Sequence, residues 1–148
     1  GGSQYSNTSG RNYIQYNWHS VEGFSKFGKY LSSGNSGAES PYVVLGFKPA
    51  LVIIKSLNHQ NSETGWAMYT SALQGNPIEE TILWANGNYQ EGKRGDGGSG
   101  AVSQIRVDLM NDGFKIRNNG AETNEGNGTN WYLYMAWAED PCFNSLGR

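Results

Sequence analysis

Two apolar runs limit what this chain can become. Ala50-Leu-Val-Ile-Ile-Lys-Ser-Leu57 and Trp131-Tyr-Leu-Tyr-Met-Ala-Trp-Ala138 are rich in β-branched and aromatic residues and almost free of charge. Each is far shorter than the roughly 20 residues that a membrane-spanning helix needs. Apolar side chains at odd and even positions alike mark a strand covered on both faces. The runs stand between clusters of Gly, Asn, Ser and Pro, which favour turns.

The same punctuation divides the rest of the chain. Strands are predicted near 12–19, 26–31, 42–46, 50–57, 65–71, 81–85, 102–110, 113–117 and 130–138. Pro49 opens a strand, where its missing N–H does no harm. Asn111-Asp112-Gly113 reads as a hairpin turn, because these residues tolerate left-handed backbone. Helix signals are weak: Gly75 and Pro77 interrupt the best candidate, Ser71 to Trp84. The 21 glycines and the 16% share of charged residues fit short strands and sharp turns, and 13% aromatic content argues against disorder. The expected fold is all-β: an antiparallel β-sandwich of jelly-roll type with long Gly/Asn-rich loops over 86–100 and 118–130. Its expected core contains Val52, Ile54, Phe114, Leu133, Met135 and Trp137.

An internal echo bears on organisation. Tyr13-Ile-Gln-Tyr-Asn-Trp-His19 matches Tyr132-Leu-Tyr-Met-Ala-Trp-Ala138 at an offset of 119 residues, and Phe24-Ser-Lys-Phe-Gly28 matches Phe143-Asn-Ser-Leu-Gly147 at the same offset. This is the mark of a tandem array. It divides the chain into the final strand of a preceding unit (1–23), one complete unit (24–142) and the start of a following unit or tail (143–148). The opening Gly1-Gly-Ser, without methionine, reads as a fragment or processed product. On this division the strand carrying Tyr13, Ile14, Tyr16 and Trp18 is an assembly strand, expected to pair with a neighbouring sheet and to make the protein a homo-oligomer or fibre.

Four phrases carry a resemblance. They are Val21-Glu-Gly-Phe-Ser-Lys-Phe-Gly-Lys-Tyr30, Val44-Leu-Gly-Phe-Lys-Pro-Ala-Leu-Val-Ile-Ile-Lys55, Asn111-Asp-Gly-Phe-Lys-Ile-Arg117 and Trp131-Tyr-Leu-Tyr-Met-Ala-Trp-Ala-Glu139. In this order they resemble a repeated β domain of tailed bacteriophages, common in marine phages, found in tail-fibre, tail-spike and other virion-appendage proteins. The resemblance covers about 24–141. It implies a virion or extracellular location, other virion proteins as partners and loops displayed on a rigid scaffold. It supplies no catalytic residue.

The residues themselves exclude several functions. The net charge is −2 and no basic run is present, so nucleic acid is not an expected partner. No apolar stretch is long enough for membrane insertion. Cys142 alone cannot build a disulfide framework or an all-cysteine zinc site. His19 and His59 lie in polar surroundings with no nucleophile placed beside them, so no enzyme activity is expected. The carboxylates fall mostly in turns and loops, as solvation requires. No cofactor is expected; calcium is the one cation that Gly95-Asp96-Gly-Gly-Ser-Gly100 would suit, and one carboxylate falls short of a motif.

Sugar recognition needs flat aromatic faces beside hydrogen-bonding side chains. The best sequence candidate is Trp84, Asn86, Asn88, Tyr89, Arg94 and Asp96, where a strand enters the long loop. A host cell-surface glycan is then the expected ligand. The plain alternative is that Trp84 plugs the core. Three other functions stay open: a carbohydrate-binding module of a secreted bacterial protein, a self-assembling extracellular β fibre, and a glycan-degrading tail-spike domain.

Overall fold

The computed structural model describes residues 9–58, 65–73, 82–87 and 107–141. Among these residues eight strands are present: β1 (Ser25–Leu31), β2 (Tyr42–Val44), β3 (Pro49–Ser56), β4 (Ala67–Thr70), β5 (Leu83–Trp84), β6 (Val107–Met110), β7 (Gly113–Ile116) and β8 (Trp131–Ala138). Single 3-10 turns occupy Gly37–Glu39 and Ser71–Leu73. No α-helix occurs among the described residues, and no helix there is long and apolar enough to cross a membrane.

The strands form two antiparallel sheets. One has five strands in the order β1-β8-β3-β4-β5; the other has three, β2-β7-β6. The two runs that opened the sequence reading, β3 and β8, are neighbours inside the large sheet. The chain crosses between sheets on either side of β2, between β5 and β6, and between β7 and β8. The protein is therefore an all-β sandwich.

Period-two alternation fixes the core. Val52 and Ile54 of β3, Tyr132 and Ala136 of β8, Phe114 and Ile116 of β7 and Val107 of β6 are wholly buried between the sheets. Val52, Ile54 and Phe114 match the sequence expectation. Leu133, Met135 and Trp137 do not: they are half-buried, and Tyr132, Tyr134 and Ala136 take the core side of β8. Both faces of that run are apolar, so composition alone could not choose between them.

Gly28 and Tyr134 are cross-strand partners. A Cβ on Gly28 would stand 2.7 Å from the Tyr134 hydroxyl oxygen, so the bare glycine lets the ring lie across β1. The β6–β7 hairpin turns at Asn111-Asp112 as expected, but neither residue takes positive φ. The Asp112 carbonyl instead accepts the N–H groups of Leu45 (2.8 Å) and Gly46 (3.0 Å), and its carboxylate accepts the Tyr42 hydroxyl.

The loop over 118–130 is a built cap. Asn124, fully buried, accepts the Ser33 N–H at 2.7 Å and donates to the carbonyls of Asn35 (2.7 Å) and Asn118 (3.1 Å). Tyr30 donates to the Thr123 carbonyl at 2.6 Å, and Tyr132 to the Ala121 carbonyl at 2.9 Å. These bonds replace the ladder that an irregular segment lacks.

No strand forms over 12–19. Residues 11–20 carry no regular structure. A hairpin with β1 begins at the Val21–Ser25 bridge and stops there. The Ser20 hydroxyl accepts the Phe27 N–H at 3.1 Å, and the Ser25 hydroxyl donates to the His19 carbonyl at 3.3 Å. Side chains thus take the backbone partners that the ladder would need. At the offset of 119, the buried residues Tyr132, Tyr134 and Ala136 of β8 correspond to Tyr13, Gln15 and Asn17, so the match on that side is Tyr13 alone.

Candidate functional site

The large sheet has a second apolar face, away from the small sheet. Antiparallel register lines its side chains in rows. Phe27 of β1 pairs with Met135, Met135 with Ile53, Ile53 with Met68, and Met68 with Leu83. Cross-strand partners share a face, so this row crosses all five strands.

The 11–20 arm lies at this face. Trp18 joins Phe27, Trp66, Leu133 and Met135, with Ala85 and Asn86, around an open groove of about 510 Å³. Phe27 also meets Trp137 edge to face, centroids 5.5 Å apart. Tyr16 stacks on Trp18 at 6.0 Å and 20°. Beyond Trp18 the arm leaves Ile14 and Tyr16 largely open to solvent, at 81% and 71% exposure.

The groove rim is set locally. Gly65 has no side chain, and a Cβ there would stand 2.6 Å from the Trp84 ring. The end of β5 can therefore close on the start of β4. The Ala85 N–H donates to the Trp66 carbonyl at 3.0 Å, and the Asn86 side-chain oxygen accepts the Trp66 N–H at 2.8 Å. Trp66 is thus held by its backbone, which leaves its ring as a wall.

Of the site expected from the sequence, the structure describes Trp84 and Asn86. Trp84 pairs with fully buried Ala67 and packs against the core, so it plugs the interior edge rather than offering a platform. Asn86 does line the groove, with its oxygen already bound to Trp66. Asn88, Tyr89, Arg94 and Asp96 lie outside the described residues, as do His59, Cys142 and the Gly95–Gly100 loop. Of the assembly residues, Trp18 belongs to the groove and Tyr13, Ile14 and Tyr16 flank it on the exposed arm.

Sequence reasoning missed Trp66, Phe27, Leu133 and Met135. The signal was present: runs apolar on both faces require something over each face, and a sandwich supplies a second sheet over only one of them. Among the described residues no three His, Cys, Asp or Glu side chains group as metal ligands.

Comparison with known families decides the relationship. The profile of a domain of unknown function, DUF7483, matches residues 1–141. The chain belongs to the DUF7483 family. The match runs through the arm, the groove and both sheets of the sandwich, so the DUF7483 unit includes Trp18 together with the walls that it faces. No curated protein and no solved structure matches the chain.

Proposed function

We propose that this DUF7483 chain is a non-catalytic structural unit of a phage tail fibre, spike or other virion appendage, and that its outer sheet face binds a host-surface glycan. The resemblance of the four sequence phrases to virion-appendage domains supports the first half. The observation that carries the second is the groove, where Phe27 of β1, Trp66 at the entry to β4 and Trp18 of the arm bring three aromatic side chains together over the outer face of the large sheet. Aromatic faces stack on the apolar faces of sugar rings, and binding clefts are lined mostly by apolar and aromatic side chains with a few polar groups. Titration of the protein with oligosaccharides from bacterial surface polymers tests the glycan half. Saturable binding that Trp66→Ala abolishes is expected; unchanged binding in that variant removes the groove from the reading. Mass spectrometry of purified particles from the encoding phage tests the virion half, and absence of the chain from them would end it.

A second reading, self-assembly, rests on the arm. Ile14, Tyr16 and Trp18 alternate with Gln15, Asn17 and His19, a strand pattern without a strand partner here. Light scattering of the chain, beside one beginning at Val21, tests it. Association is expected for the first alone; two monomers would end that reading.

A further inference from the structure

Two serine hydroxyls occupy the groups of a missing rung. The Val21–Ser25 bridge is a hydrogen-bonded pair, with N–H to carbonyl distances of 2.9 Å in both directions. In an antiparallel ladder the next such pair lies two residues further along each strand. Here that pair is His19 and Phe27. The Phe27 N–H donates instead to the Ser20 hydroxyl at 3.1 Å, and the His19 carbonyl accepts the Ser25 hydroxyl at 3.3 Å. The donor and the acceptor that a rung would join are thus each held by a serine.

Beyond this point the outer edge of β1 is open. The Phe24 carbonyl accepts the Ala138 N–H, and the Ser32 N–H donates to the Asn130 carbonyl, so the even-numbered residues bond towards β8. The backbone groups of Lys29 and Leu31 therefore face the other way. Among the described residues no strand pairs with them there.

The arm has the sequence of a strand for that edge. The register of the bridge, continued, sets Asn17 opposite Lys29 and Gln15 opposite Leu31. It sets Trp18 opposite Gly28 and Tyr16 opposite Tyr30. Cross-strand partners share a face, so Trp18 and Tyr16 would stand on the core side with Tyr30. The Tyr134 ring crosses Gly28 on that side and offers Trp18 an aromatic neighbour. In the observed position Trp18 is instead in the groove of the outer face, and Ile14 and Tyr16 are exposed. The two positions exclude each other, because they send Trp18 to opposite faces of one sheet.

We propose that Ser20 and Ser25 form a latch and that residues 14–19 are a switch strand. Latched, the arm carries Trp18 onto the outer face and completes the groove. Released, it joins the free edge of β1, and the groove loses its Trp18 wall. The switch stands whatever the groove binds, and its test reads the arm rather than a ligand.

Nuclear magnetic resonance of the whole chain, with Ser20→Ala/Ser25→Ala beside the unaltered protein, provides that test. The unaltered protein should show contacts between the Trp18 ring and the Met135 methyl group. The double variant should lose them and gain an Hα–Hα contact between Trp18 and Gly28. Amide exchange at Asn17 and Lys29, the next hydrogen-bonded pair, should slow by about tenfold or more. Ser25 is buried, so Ser20→Ala alone, at an exposed residue, decides the matter if the double variant fails to fold. It frees the Phe27 N–H and should give the same new contacts in part. Asn17→Pro added to either variant removes an N–H that the strand needs and should return Trp18 to Met135. Variants that keep Trp18 at Met135, or that release the arm without a Trp18–Gly28 contact, overturn the switch. Strand contacts that survive Asn17→Pro overturn its register.

Discussion

Tyr30 and Tyr132 lie ring on ring, centroids 5.4 Å apart and planes 13° apart, and both hydroxyls donate to carbonyls of the 118–130 cap. Two strands, far apart in sequence, thus hold an irregular loop with the polar ends of an otherwise apolar pair. Tyrosine suits this role because its body belongs in a core and its tip needs a partner.

Alkaline stability should report this pair. Burial raises both phenol pKa values, that of Tyr132 to about 12. Folding then favours the neutral phenol. Its contribution is complete below the unfolded value of about 10 and is lost as pH rises through the folded value. The denaturant midpoint should hold up to about pH 10 and fall towards pH 12. Tyr132→Phe should show a shallower fall, and identical pH profiles would contradict the assignment.

Asn124 is the hub of the same cap. Asn124→Ala strands the Ser33 N–H and two carbonyls, and should destabilise by about 2–3 kcal/mol. Chemical denaturation measures this. A loss under about half a kcal/mol would mean that water or rearranged loop backbone replaces the side chain.

Gly28 has room for a hydrogen and no more. Gly28→Ala drives a methyl into the Tyr134 ring and should destabilise by about 1–3 kcal/mol, the usual scale of overpacking. If Gly28→Ala is neutral in thermal unfolding, the ring does not lie across β1 as described.

The two faces of the large sheet should differ in their tolerance of truncation. Ile54→Ala opens a cavity between the sheets and should cost about 2–5 kcal/mol. Leu133→Ala removes a half-buried side chain from the groove floor and should cost about 1–2 kcal/mol. Equal losses would show that the outer face is as fully packed as the interior.

The sandwich was legible because β structure writes itself as period-two patterns between turns. Strands β1 to β8 fall where apolar, β-branched and aromatic runs predicted them. The face of β8 was not legible, because both its faces are apolar. Nor was the fate of residues 12–19, whose alternation is that of a strand. The Ser20 and Ser25 hydroxyls divert the hairpin, and nothing in the local pattern shows which way a serine hydroxyl will turn. The candidate site was half legible for a related reason. Asn86 was chosen as a ligand contact and lines the groove, whereas Trp84, its neighbour on the strand, points to the core. Trp66 and Leu133 reach the site through cross-strand register, which no local window contains.

The position of β8 also dictates when the protein can fold. The strand that joins β1 to β3 follows every other described strand in the chain, so during synthesis the rest of the large sheet waits with a gap between β1 and β3. Long-range pairing of this kind is slow to close and leaves unfinished chains exposed to association. A nascent chain halted before Trp131 should stay protease-sensitive, and resistance should arrive in one step once Ala138 is included. Cells that make this protein therefore handle the other strands of the sandwich as unfolded chain until β8 emerges.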